Sequence, residues 1–484
     1  MAMQQELDHH HQHHEDDHED DHPLHIAVFP WLAFGHMMPL LELSKTLANK
    51  GHHVSYLATP RNISRLSSTT LPSLLTFIPL PLPQLPGLPE LAEATSDVSQ
   101  DQVQYLKLAL DSLQHPFTTF LQEASPKPDW ILLDFSTPWA IPIASKFSIP
   151  CAFFSVFTAS FLTFIGPPSE LTEGKGSRGS PENFTVTPAW IPFPSKLAYS
   201  LYGARNLMAA YENNVSGISD ACRYRMTVEG CKALAPRTCM EVERDLVELL
   251  EDLHEKPVLP LGLLAPAPPT KDQVEVDVEK HKEIFAWLDG QRERSVVYVA
   301  FGSEATLSVE LLHELALGLE LSNLPFLWVL RKPLGLGDGV EVLPLGFEER
   351  VRGRGVVVNG WVPQLGVLGH GGVGGFLSHS GWSSIVEALQ CGLPLMLLPI
   401  YVDQEANARM VGERGFGVEV ERRGEDGFFS REEVARVLRL VMVGEEGEGV
   451  RVRAREMKKV FADRVGQEKY VDEFVRFMKV HKKL

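Results

Sequence analysis

From Ile26 to Pro30 the chain is apolar without alternation. A strand with no polar face is stable only inside a parallel sheet covered on both sides. After it come a loop, Trp31 to His36, and a helix. Pro39 falls near the helix's first turn, Leu40, Leu43 and Leu47 mark one face, and Gly51 closes it. Val54 to Ala58 supplies the next strand, so this is a βαβ unit. Strands of the same kind recur at Trp130 to Asp134, Ile149 to Ser155, Ala233 to Thr238 and Val258 to Leu261. A second series follows at Ser295 to Ala300, Pro325 to Leu330, Gly355 to Val358, Gly375 to Ser378 and Leu395 to Leu398. The spacing also predicts a long helix over Gln102 to Gln122 and a basic amphipathic helix over Glu468 to Lys482. The expected fold class is therefore α/β, with two Rossmann-like doubly wound domains facing each other across a cleft.

A chain of 484 residues exceeds one ordinary core. The expected division is a His/acidic tail over 1–22, a first domain over 23–260, a linker over 261–275, a second domain over 276–460 and a terminal helix over 461–484. The tail carries seven histidines among Asp and Glu from His9 to His22 and cannot bury a core. Gly166 to Ser195, rich in Gly, Pro and Ser, is too long for a plain connector and could frame a substrate entrance. The formal net charge of -18 argues against nucleic acid and anionic membrane surfaces. The longest apolar run, Cys151 to Gly166, is shorter than the roughly 20 residues of a spanning helix. The five cysteines are scattered without metal-ligand spacing and no signal peptide precedes them, so they are expected to be reduced thiols in a cytoplasmic protein, with the three Asn-x-Ser/Thr sequons left as chance matches.

Polar residues at strand ends and helix starts mark where an open α/β sheet binds its ligand. The loop after the first strand runs to His36 without a Gly-x-Gly-x-x-Gly motif, which weakens a nicotinamide oxidoreductase reading. His36 has the titration range of a general base, although position alone does not separate it from an idle loop histidine. Asp134 closes a strand of the same sheet, where it could cap a helix or orient an imidazole. No Gly-x-Ser-x-Gly elbow offers a nucleophilic serine, so a His36–Asp134 dyad deprotonating a substrate hydroxyl is the expectation. In the second series, Gly302-Ser303 follows a strand and allows close backbone approach to an anion, or merely a turn. His379-Ser-Gly-Trp-Ser383-Ser384 leads into a helix whose N–H groups suit phosphate. Ser384-Ile-Val-Glu387 reads equally as a capping box or as a phosphate and ribose contact. Trp361 could stack on a base or lie in a core, and it opens a short helix with Gln364.

At these residues the chain resembles the plant family 1 UDP-dependent glycosyltransferases, which have the GT-B fold. Trp361 to Gln404 is similar to that family's 44-residue signature at full length, and the likeness extends from Pro23 over almost the whole chain. The resemblance implies that Trp361 stacks on uracil and that the Val362 backbone reads the base edge. Gln364 and Glu387 would hold the ribose hydroxyls. Ser303, His379 and Ser384, with amides near Gly381 and Ser383, would bind the diphosphate. Trp382, Asp403 and Gln404 would line the sugar, with Tyr401 in the same run. His36 would be the base, Asp134 its partner, and the last helix would return to the first domain. The implied reaction is inverting transfer without a metal or other cofactor, UDP-glucose or UDP-rhamnose being a co-substrate and a small molecule the acceptor, in a cytoplasmic monomer. Ser383 stands where many members have Asn, which leaves a direct or a water-mediated phosphate contact. These variants resemble the branch that extends sugars already present on flavonoid or terpenoid glycosides. The alternatives are first-sugar transfer to an aglycone and a non-catalytic nucleotide-sugar binding protein.

Overall fold

The computed structural model describes residues 22–67, 71–172, 177–302, 305, 307–332, 341–423 and 425–482. The acidic histidine tail, apart from His22, and Ser303 lie outside the described residues.

Twelve strands form two six-stranded sheets. The first contains β1 (His25–Phe29), β2 (His53–Ala58), β3 (Leu75–Pro79), β4 (Trp130–Leu133), β5 (Cys151–Ser155) and β6 (Ala233–Pro236), in the order β3-β2-β1-β4-β5-β6. The second contains β7 (Val296–Ala300), β8 (Phe326–Leu330), β9 (Gly355–Asn359), β10 (Val373–Ser378), β11 (Leu395–Leu397) and β12 (Gly417–Glu419), in the order β12-β11-β10-β7-β8-β9. Every paired strand is parallel. The unalternated runs explain this: β1, β4, β5 and β10 are buried at every position, and a separate apolar cluster covers each face of each sheet. This is the expected pair of Rossmann-like halves.

The strand orders fix where loops can meet. In the first sheet the winding reverses between β1 and β4; in the second it reverses between β7 and β10. At such a switch point the loops leaving the two central strands diverge to opposite faces and open a crevice at the carboxyl edge. The last helix, Arg464–Val480, packs on the first sheet: Val471, Phe474, Val475 and Met478 join its cluster, and Trp130 Nε1 donates to the Met478 carbonyl at 2.9 Å.

Several elements differ from the sequence expectation. The predicted helix over 102–122 is two helices, Val103–Asp111 and Gln114–Glu123. Pro116 accounts for the break, because it lacks an N–H and its ring opposes the carbonyl four residues back. Val258 to Leu261 contributes one isolated bridge, Val258 to Leu234, since Pro257 and Pro260 cannot donate to a ladder. The short edge strands β3 and β12 carry no such apolar run and were not anticipated. The first helix begins at Phe34, so Pro39 lies inside it and His36 in its first turn.

Candidate active site

One cavity of about 570 Å³ lies between the carboxyl edges of the two sheets and receives residues from both switch points. From the first half it is lined by Trp31, His36, Phe135 and Phe157, and from the second by Gly302, His379, Gly381, Trp382, Ser383, Ser384, Glu387, Tyr401, Asp403 and Gln404.

His36 follows β1 and Asp134 follows β4, so the first switch point brings them together across 98 positions of sequence: His36 Nδ1 is 2.8 Å from Asp134 Oδ2. Asp134 is 1% exposed and accepts two further N–H groups, from Trp31 at 3.1 Å and Phe135 at 2.7 Å. A carboxylate only accepts, so Nδ1 carries the ring proton and Nε2 is the basic nitrogen. The Phe135 and Phe157 rings lie 5.8 and 5.6 Å from the imidazole and hold its plane. The pair can therefore take a proton from a hydroxyl in the cavity and stabilise the imidazolium that results.

At the second switch point, β10 ends at Ser378 and the helix Trp382–Gln390 begins after three intervening residues. Ser380 makes the turn with φ of 67°, a left-handed conformation held by its carbonyl accepting from Asn407 Nδ2 at 3.0 Å. Gly381 is the N-cap, and no side chain caps the helix. The capping-box reading of Ser384 and Glu387 is thereby corrected: both lie inside the helix. Ser384 lines the cavity, and Glu387 Oε2 accepts from Gln364 Nε2 at 2.7 Å. The first-turn N–H groups are left for an anion.

His379 is half-buried beside this turn, and desolvation by the surrounding protein pushes its pKa down to about 4. It acts as a neutral dipole at pH 7 rather than as a cation. A Cβ on Gly381 would stand 2.4 Å from His379 Nε2, and one on Gly302 2.9 Å from the same ring, so glycine at both positions makes room for it. Burial raises Glu387, with the Gln364 hydrogen bond and the Arg237 charge opposing.

The remaining expected residues divide. Val362 is a core residue of the second half, and Trp361 is 71% exposed with its ring 5.8 Å from His281; neither forms the cavity wall, and Gln364 reaches it only through Glu387. Gln404 Oε1 is consumed by the Ile400 and Tyr401 N–H groups at 2.8 and 2.9 Å, so it offers the cavity only its amide nitrogen. Asp403 is oriented by Asn407 Nδ2 at 2.9 Å, and Asn407 Oδ1 accepts from Thr158 Oγ1 of the first half at 2.9 Å.

Asn407 and Arg237 were not anticipated from sequence. Arg237 follows β6, lines the cavity, and donates from Nη1 to Ser383 Oγ at 2.7 Å and from Nε to the Leu263 carbonyl at 2.8 Å. Burial lowers it to about 10, which leaves it a cation at pH 7. Its place just beyond a strand's carboxyl end is the signal that could have found it, by the rule that found Asp134. Asn407 lies within a helix and had no such marker. All five cysteines are free thiols. Among the described residues no cluster of three His, Cys, Asp or Glu side chains could hold a metal ion, and no helix is long and apolar enough to cross a membrane.

Comparison with known proteins agrees with this arrangement. Residues 273–446 match the UDP-glucoronosyl and UDP-glucosyl transferase family. UDP-glycosyltransferase 91C1 of Arabidopsis thaliana is 44% identical over 458 residues, covering 94% of this chain and 96% of that protein. The soyasaponin III rhamnosyltransferase of Glycine max is 39% identical over 456 residues, covering 94% and 95%. The crystal structure of Arabidopsis thaliana UGT89C1 complexed with UDP-L-rhamnose superposes with a TM-score of 0.71 at 27% identity, covering 95% of this chain and 100% of that one. The chain belongs to the UDP-glycosyltransferase family that these plant enzymes represent, and its paired sheets are the GT-B fold.

Proposed function

We propose that the cavity transfers rhamnose or glucose from its UDP conjugate, with inversion, to a sugar hydroxyl of a flavonoid or saponin glycoside. The reading rests on one arrangement: the His36–Asp134 dyad of one half and the open helix N-terminus at Gly381 of the other border the same cavity. His36 Nε2 takes the acceptor proton as the oxygen attacks the anomeric carbon. The bond from that carbon to the diphosphate breaks on the opposite face, and UDP leaves. The amides of Trp382, Ser383 and Ser384, the His379 ring and the Ser384 hydroxyl receive the developing charge. Arg237 adds a cation behind Ser383, which offsets the shorter reach of serine at that position. Ser303, next in sequence to Gly302, would contribute its hydroxyl to the diphosphate. Trp361 stacks on uracil beside the Val362 backbone, Glu387 with Gln364 takes the ribose diol, and Trp382, Tyr401, Asp403 and Gln404 surround the sugar. The first half holds the acceptor and the second the donor, with the last helix tying them. The saponin rhamnosyltransferase among the relatives, and the UDP-L-rhamnose complex among the structures, support this choice of sugar and acceptor. The donor set needs no metal, and the five free thiols fit a cytoplasmic enzyme; a monomer is sufficient, since both halves of the site come from one chain.

The test is UDP release from UDP-rhamnose and UDP-glucose over a panel of flavonoid and saponin glycosides and their aglycones. Release is expected with glycosides, and His36→Ala should lower it by about 10²- to 10⁴-fold, the range of a general base. Release that survives His36→Ala unchanged removes the mechanism. EDTA should leave the rate unaltered, and a large loss would show that the leaving group depends on a metal.

A further inference from the structure

The first half's side of the cavity has a polar patch that transfer chemistry does not use. The helices Val103–Asp111 and Asp220–Gly230 both contribute side chains to it. Two ion pairs join them, and they differ in kind. Arg223 is fully buried and exhausts Asp111, bonding both its oxygens, one at 2.8 Å, and it also donates to the Ser136 carbonyl at 2.7 Å. Lys107 bonds only Asp220 Oδ2, at 2.6 Å. Asp220 Oδ1 is buried without a partner. The phenol oxygens of Tyr224, one turn along the same helix, and of Tyr211 are buried without partners as well. Lys107, Asp220, Tyr211 and Tyr224 all line the cavity, among Ile165, Leu171 and other apolar walls. Three orphaned polar atoms among residues lining one cavity mark a polar recognition surface, since buried polar groups in a finished core are satisfied.

We propose that Asp220, Tyr224 and Tyr211, with Lys107 behind them, form a subsite that recognises a neutral hydroxyl of the acceptor other than the one attacked. The chemistry selects the group. Lys107 cancels the charge of Asp220 on one side only, so the unpartnered lobe at Oδ1 requires a donor. The tyrosines, which burial keeps protonated, supply donors for the same group's lone pairs. A hydroxyl donates once and accepts twice and so meets both demands. A carboxylate meets Asp220 with like charge and no proton. A hydrogen in place of the hydroxyl leaves three buried groups unpaired. This reading rests on the cavity being the acceptor site of a glycosyltransferase.

The test uses the 3-O-glucosides of erythrodiol, β-amyrin and oleanolic acid, which differ at one carbon by a hydroxyl, a hydrogen or a carboxylate. Their binding to the full-length enzyme saturated with UDP is measured by calorimetry, beside kcat and KM with a UDP-sugar. The wild type should bind the hydroxyl compound about tenfold or more tighter than the other two. Asp220→Asn should narrow the gap to the carboxylate compound, and Tyr224→Phe should weaken the hydroxyl compound alone, both through acceptor KM rather than donor KM. Equal losses on all three acceptors, or no preference in the wild type, overturn the subsite. Because binding is read without turnover, absence of sugar transfer with any donor would count against the proposed reaction and leave the ranking of the three compounds to decide the subsite.

Discussion

One methyl group at Gly381 tests how the diphosphate end is built. The backbone there has φ of -64°, which any residue adopts, so alanine costs no backbone strain. Its Cβ would nevertheless stand 2.4 Å from His379 Nε2 and would displace the ring. Gly381→Ala is expected to raise the donor KM and the inhibition constant of UDP by about tenfold, the cost of about one hydrogen bond, with unchanged circular dichroism. An unaltered UDP affinity would mean that His379 does not touch the diphosphate. The same few residues show where single positions were legible. Asp134 closed a run whose strand nature was plain and His36 ended the loop after another, so their meeting followed from the sheet. Ser384 and Glu387 had the spacing of a capping box, and that spacing misled. The helix start is set by the left-handed turn at Ser380, which depends on Asn407 far along the chain, and no local pattern carries that information.

The helices Val103–Asp111 and Asp220–Gly230 hold the cavity's acceptor wall through one buried cation. Arg223 Nη1 reaches Asp111 Oδ1 at 2.8 Å and the Ser136 carbonyl at 2.7 Å, and Nη2 reaches Ser216 Oγ at 2.8 Å. Removing one member of a buried pair leaves the other without compensation, at about 3 kcal/mol or more. Arg223→Met should therefore lower the urea midpoint strongly, and Asp111→Leu added to it should restore part of the loss, because the pair's desolvation then disappears with it. A double variant as unstable as the sum of the singles would show that the two residues act separately. At this scale strands read more reliably than helices. A buried parallel strand announces itself by unbroken apolar residues, whereas the break after Asp111 turned on Pro116, and Val258 to Leu261 looked like a strand until its prolines are counted as missing donors.

Two halves were legible because a second series of strands restarts after a proline-rich stretch; how they clasp each other was not. Glu405 of the second half accepts from the Ser200 N–H and hydroxyl at 2.7 Å each, and Tyr199 donates to the Val402 carbonyl at 2.5 Å, contacts between residues some 200 positions apart that no periodicity encodes. The whole molecule also stores an acid sensitivity. His254 is buried and His379 half-buried, and desolvation lowers each to about 4 from 6.5. Between those values the unfolded chain binds protons that the native state refuses, so stability rises with pH. Each histidine's contribution is complete above about pH 6.5 and is lost as pH falls, by about 2 kcal/mol at pH 5. Glu387 and Glu419, raised by burial, oppose this by holding protons in the native state that the unfolded chain gives up. The difference between a variant and its parent cancels them. Neither ring nitrogen of His254 has a hydrogen-bond partner, so His254→Leu removes the titration without orphaning another group. Urea unfolding at pH 7.5 and 5.0 should therefore show a smaller loss in His254→Leu than in the parent by about 2 kcal/mol. Equal losses in the two proteins would place the acid sensitivity elsewhere, and saturating UDP should leave the His254 difference intact, because that residue lies at the end of the helix Met240–His254 and not on the cavity wall.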